Sequence, residues 1–148
     1  MRQILSYRRH PCGGYTWLET SIVMAVVVIL VTIAAPRLAS SIRRANEAAS
    51  VNMLGTIRSA LAIYYTGSGG VYPSDLTPLS QPGNEYLNGK IKAYTTAHGV
   101  QTNIDHQSSL DASLDTGSIG YVNAGPQLGT VWIECTHTDS KGTAWNRY

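Results

Sequence analysis

A run of seventeen residues without a charge, Thr20 to Pro36, begins directly after a lone carboxylate, Glu19. Read as a helix, the run is just long enough to cross a hydrocarbon core, which takes roughly 17–25 residues. A carboxylate beside such a run is costly in lipid, by about 2.5–3.5 kcal/mol at a helix centre. No cation stands close to Glu19 along its own helix. Glu19 therefore needs a partner from outside that helix. The apolar segment itself has to lie in lipid or among other apolar helices.

The fourteen residues Met1–Gly14 are short, polar and basic, and they end in Gly13-Gly14. Arg2, Arg8 and Arg9 hold this end in the cytoplasm and send the C-terminus outward. An ordinary secretory signal is the competing reading, with Ile22–Ala35 as its core and a cut near Ala39-Ser40-Ser41. The apolar run exceeds the usual core of about 7–15 residues, and the glycine pair precedes the core instead of following it. Pro36-Arg37 also interrupts its exit.

The formal charge of +2 depends on that basic start, because eight of the eleven basic residues remain beyond Gly14 against nine acids. Such a balance does not suggest a phosphate-binding surface, and no nucleic-acid contact is expected. Cys12 falls in the basic segment and Cys135 near the other end. Removal of the first segment would leave one thiol, which excludes an internal disulfide and any metal site built on paired cysteines.

Behind the apolar run the helical spacing continues. Leu38, Ile42, Ala45, Ala49, Met53, Ile57, Ala60 or Leu61, and Tyr64 recur every three or four residues, which predicts one apolar face. Arg37, Arg43, Arg44, Glu47, Asn52 and Arg58 fall between them, on a predicted solvated side. The helix is expected from Thr16 to about Tyr65 and ends at Thr66-Gly67-Ser68-Gly69-Gly70, with a kink or melted turn at Pro36. Val71–Leu79 reads as a loop with one short helical turn. Gly83–Ser118 is polar, holds an Asn88-Gly89 turn signal, and suggests irregular structure with one strand near Lys90–Thr95. Ser118–Val122 and Gly129–Cys135 are rich in β-branched and aromatic residues, and Asp139–Gly142 is a hairpin turn leading into Thr143–Tyr148, which suggests a three- or four-stranded antiparallel meander. The expected architecture is α+β: a long N-terminal helix, membrane-embedded in its first half and amphipathic in its second, packed on a small antiparallel sheet.

Gly14-Tyr15-Thr16-Trp17-Leu18-Glu19, with the apolar run behind it, resembles the processing site of type IV pilins and type II secretion pseudopilins. The resemblance implies a cut between Gly14 and Tyr15 by a prepilin peptidase and N-methylation of Tyr15. It places Glu19 as the glutamate five residues into the mature chain, and Pro36 where many members carry a helix-breaking proline. It also implies a leader over 1–14, an assembly segment over 15–38, an amphipathic half-helix over 39–66 and a head over 67–148. Tyr15 stands where Phe is commoner and Trp17 where Leu is commoner; the lone mature cysteine departs from pilins that close a disulfide loop. Ile63-Tyr64-Tyr65 followed by Gly70-Val71-Tyr72-Pro73-Ser74 looks like the helix exit of the smaller members.

Implied partners are the peptidase and N-methyltransferase, the inner-membrane assembly platform, the bilayer, and further copies in a helical pilus or pseudopilus. The subunit would cross the inner membrane once with its head outward before entering the filament. In that filament Glu19 could meet the new α-amine of a neighbouring Tyr15, turning two costly charges into one pair that sets register. A single-pass anchored binding domain that never polymerises is the alternative of a different class.

Other chemistry is thin. The spacing of His98, His106 and His137 matches no common zinc motif, and their loop positions suggest solvated side chains. Asp139 with Ser140 brings one carboxylate, whereas calcium takes six to eight oxygens, so Asp139 reads as a turn residue and no metal is expected. Gly67-Ser68-Gly69-Gly70 lacks the Lys-Ser/Thr of a phosphate loop. No cofactor is implied, and an enzyme is not expected.

Overall fold

The computed structural model describes residues 14–81, 86–87, 89–110 and 114–148. The expected leader, except for Gly14, and both Gly83 and Asn88 lie outside the described residues. Helix α1 runs over Trp17–Gly67. Thr16 caps it, its hydroxyl accepting the backbone N–H of Glu19 at 3.2 Å, the contact a threonine makes at the start of a capping box. Helical structure continues across Pro36, so no melted turn forms there. A proline forfeits one main-chain donor, and the turns on either side keep theirs.

The chain divides into two compact units between Ala39 and Ser40. In the first, residues 14–39 are exposed throughout. In the second, the later turns of α1 pack on five short strands: β1 (Ala93–Thr95), β2 (Gly99–Gln101), β3 (Ile104–Gln107), β4 (Ile119–Val122) and β5 (Val131–Ile133). β1 and β2 form a two-stranded antiparallel sheet. The other three form a sheet in the order β3-β4-β5, parallel between β3 and β4 and antiparallel between β4 and β5. The fold is α+β with one antiparallel and one mixed sheet, so the expected purely antiparallel sheet is corrected. The reason is β3, whose Asp105, His106 and Gln107 carry no apolar alternation.

The inner face of α1 matches the predicted one from Met53 to Tyr64 and departs from it ahead of Met53. Glu47, Ser50, Leu54, Ile57, Ala60 and Leu61 are buried, while Leu38 and Ile42 are exposed and Ala45 and Ala49 with them. Two polar residues occupy the inward positions because each meets a partner. Ser50 Oγ accepts Tyr94 N–H at 2.7 Å and donates to Tyr94 O at 3.0 Å, satisfying the backbone of β1. Glu47 accepts Thr96 Oγ1 at 2.9 Å and Ser140 N at 3.2 Å. Arg58, expected on the solvated side, donates to the carbonyls of Val131 at 2.8 Å and Tyr148 at 2.6 Å.

The core gathers Leu54, Ile57 and Leu61 of α1 with Leu76, Leu79, Ile91, Ile119, Tyr121, Val131, Ile133 and Trp145. The central strand β4 and its neighbour β5 are buried along their whole length. Gly120 faces Trp132 across that pair, and a Cβ at position 120 would overlap the indole. The Asp139–Gly142 turn is present, with Asp139 N bonded to Thr143 O at 2.9 Å. The returning chain makes one bridge, Thr138 to Ala144, and then a 3-10 turn over Trp145–Arg147 where a strand was expected.

Candidate functional site

Gly14, Tyr15 and Glu19 sit at the exposed start of α1, with Tyr15 81% exposed. Among the described residues the Glu19 carboxylate meets no hydrogen-bond or ion-pair partner. Ten large apolar side chains follow between Ile22 and Ile33, each 45–63% exposed. The helix is long and apolar enough to cross a membrane, and none of its apolar window is buried.

A second cluster lies in the unit that carries the sheets. His98 stands in the turn between β1 and β2, Asp115 in the loop ahead of β4, and Cys135 and His137 just beyond β5. One ligand atom from each of the four lies within 4.8 Å of all the others. Asp115 Oδ1 is 3.5 Å from His98 Nε2, Asp115 Oδ2 is 3.3 Å from His137 Nδ1, and Cys135 Sγ is 3.6 Å from the same Nδ1.

The backbone is shaped to bring them together. Asp115 adopts φ 48°, a left-handed conformation uncommon outside glycine. Its carboxylate is held from behind by Thr136 N–H at 2.8 Å. Gly117, at φ 75°, presses on His98 so closely that a Cβ would stand 2.6 Å from that of the histidine. Asn146 N and Trp145 N bond the carbonyls of Cys135 and His137 at 3.1 and 3.0 Å. Cys135 is wholly buried, and burial pushes its thiol up. The Thr136 N–H, with His137 and His98 behind it, lowers the Asp115 carboxyl.

His98 and His137 are thus neighbours, their rings 5.3 Å apart; His137 is exposed as its loop position suggests, whereas His98 is largely buried. Cys135-x-His137 is a local pair that the sequence reading passed over, and His98 and Asp115 reach it through the fold. His106 lies elsewhere, its Nε2 2.9 Å from Asp75 Oδ1. Asp139 is engaged as a turn residue: Oδ1 accepts Lys141 N and Thr143 N at 2.8 and 2.9 Å, and Oδ2 accepts Tyr148 Oη at 2.6 Å.

No protein-family model, curated protein or solved structure matches the chain. Its chemistry has to be read from its own residues.

Asp105 and Glu134 form a further carboxyl pair bridged by Thr116, whose Oγ1 lies 3.1 Å from Asp105 Oδ2 and 3.1 Å from Glu134 Oε2. Burial, then the hydrogen bond with Asp105, pushes Glu134 up. Burial opposes ionisation of Asp105, and bonds from Ser118, Glu134 and Thr116 outweigh it and bring that carboxyl down. Both groups are occupied with each other and with hydroxyls, which makes the pair a structural link between β3 and the end of β5.

Proposed function

We propose that this chain is a structural subunit that polymerises through its N-terminal helix into a filament of the type IV pilus or type II secretion pseudopilus kind. The peptidase would cut between Gly14 and Tyr15 and methylate Tyr15, leaving a charged amine four residues ahead of Glu19. The chain is the substrate of that enzyme and not a catalyst. Before assembly it spans the inner membrane once with its head outward.

The observation that carries this reading is an uncharged helical stretch, exposed on every side, with a carboxylate at its start that has no partner among the described residues. Burying a Val, Leu, Ile or Met side chain is worth about 1.5–3 kcal/mol, so ten of them exposed in one segment call for a cover. Lipid covers them without answering the charge on Glu19. Packed helices of further copies cover them and also bring an amine to it, which gives Glu19 a use that an anchor alone does not.

The mass of the N-terminal peptide, from membranes and from sheared surface material, tests the proposal. N-methyl-Tyr15 at the start, in both fractions, is the expected result. A start near Ser41 would mark an exported soluble protein instead. Glu19→Ala is expected to insert and be cleaved but to fall at least about tenfold in sheared filaments. Wild-type recovery of that variant would leave a non-polymerising anchor as the better account.

A further inference from the structure

His98, Asp115, Cys135 and His137 carry an inference independent of the filament. Their closest contacts are 3.3, 3.5 and 3.6 Å. A zinc ion binds nitrogen, oxygen and sulfur at about 2.0–2.3 Å, so neighbouring corners of its tetrahedron are about 3.3–3.8 Å apart. The two contacts that His137 Nδ1 makes fall on that edge length, and His98 Nε2 reaches the other oxygen of the same carboxylate, with one ligand atom from each of the four residues inside 4.8 Å of the rest.

Two other arrangements are poorer fits. A Cys-His-Asp relay needs the two ring nitrogens to divide the partners, one facing the nucleophile and one the carboxylate. Here Cys135 Sγ and Asp115 Oδ2 both approach Nδ1 of His137. Plain His–Asp ion pairing gives Cys135 no part beyond its contact with His137, and at 3.5 Å from Asp115 Oδ1 it leaves the buried His98 Nε2 without a hydrogen bond among the described residues. A cation at the centre gives that nitrogen, the thiolate, the carboxylate and His137 one common partner.

We infer that His98, Asp115, Cys135 and His137 form a four-ligand site for a borderline-soft divalent cation, zinc in the first place. Two imidazoles, one thiolate and one carboxylate suit zinc. Four protein ligands close the coordination sphere, so the role is structural. The ligands come from the β1–β2 turn, the loop ahead of β4 and the segment after β5. An ion there staples three stretches distant in sequence, in a unit whose described residues hold one cysteine and so no disulfide. The Thr136 N–H on Asp115 Oδ1 is the outer contact that orients a ligand carboxylate.

The test uses the full chain in detergent, without a histidine tag, and with Cys12→Ser so that Cys135 is the only thiol. Stripped with a chelator and given zinc, it should hold one ion per chain by native mass spectrometry and unfold at a higher temperature, a gain that chelator reverses. Cobalt in its place should show the sulfur-to-metal charge-transfer band and the visible bands of a tetrahedral site. His137 is about half exposed, so His137→Gln should fold and weaken binding by at least about tenfold, the loss that even outer-shell changes cause. Cys135→Ser should abolish the charge-transfer band. His106→Gln, at the separate His106–Asp75 pair, should bind as the parent does. Failure of the parent to take up one zinc per chain overturns the site. So does uptake that survives His137→Gln, or that is lost equally in His106→Gln.

Discussion

Tyr121 is fully buried on β4, and its hydroxyl donates to Pro73 O at 2.5 Å. That bond ties the sheet to the loop that follows α1. Tyr121→Phe keeps the ring and strands a buried carbonyl, which costs about 1–3 kcal/mol; a denaturant titration should show the lower midpoint. Burial pushes the Tyr121 phenol up to about 12. A group whose folded pKa is raised stabilises the fold fully below its unfolded value, near 10, and loses that contribution as pH rises through its folded value. Alkaline unfolding should therefore begin as pH climbs from about 10 towards 12, and the Phe variant should lack that limb. Glu134 follows the same sign at lower pH. Its contribution is present below the ordinary glutamate range and fades as pH rises through its elevated value, and Glu134→Gln should flatten that slope. Glu19 was legible in the sequence because a lone charge beside an apolar run is conspicuous from composition and order alone. Glu47 was not: a glutamate between apolar helix positions reads as solvated, and only the fold brings Thr96 and Ser140 to face it.

Among the elements, α1 was legible in its existence, its length and its inner face from Met53 onward, and misplaced in its facing before that. Hydrophobic periodicity picks the most apolar stripe, and the stripe that packs includes Glu47 and Ser50, whose polar atoms are satisfied by groups far along the chain. Ser50→Ala should cost about 1–3 kcal/mol, because it leaves both backbone groups of Tyr94 without this partner. Loss of amide-exchange protection confined first to β1 and β2 would locate the effect. β4 and β5 were visible as dense apolar clusters. Gly120 shows how tightly they meet, since an added methyl has only the Trp132 indole to displace. Gly120→Ala should destabilise by about 1–3 kcal/mol through overpacking, with a changed tryptophan emission as a second readout. β2 and β3 were not visible, because short strands with polar side chains carry no period-two signal.

On the scale of the whole molecule, the exposed apolar helix segment and the hydrogen-bonded sheet unit obey different solvents. The first should keep the full chain in the detergent or membrane phase. The second should respond to acid. Asp139 lies below the usual carboxylate range: burial opposes ionisation, but the Tyr148 hydroxyl and the Thr143 and Lys141 N–H groups outweigh it. Asp75 is lowered first by the Thr77 N–H. Lowered carboxyls stabilise the fold above their ordinary value and lose that contribution as pH falls through the folded one. The unfolding midpoint should therefore drop between about pH 5 and pH 2, less steeply in Asp139→Asn. Sequence alone determined the long helix, its uncharged first half, the isolation of Glu19 and the strand-rich end, because composition and period along the chain carry those features. Tertiary structure alone decided the parallel pairing of β3 with β4, the burial of Glu47 and Ser50, and the meeting of His98 and Asp115 with Cys135 and His137. Each of these depends on polar groups that find partners only when distant segments close, and no local pattern registers a partner that is tens of residues away.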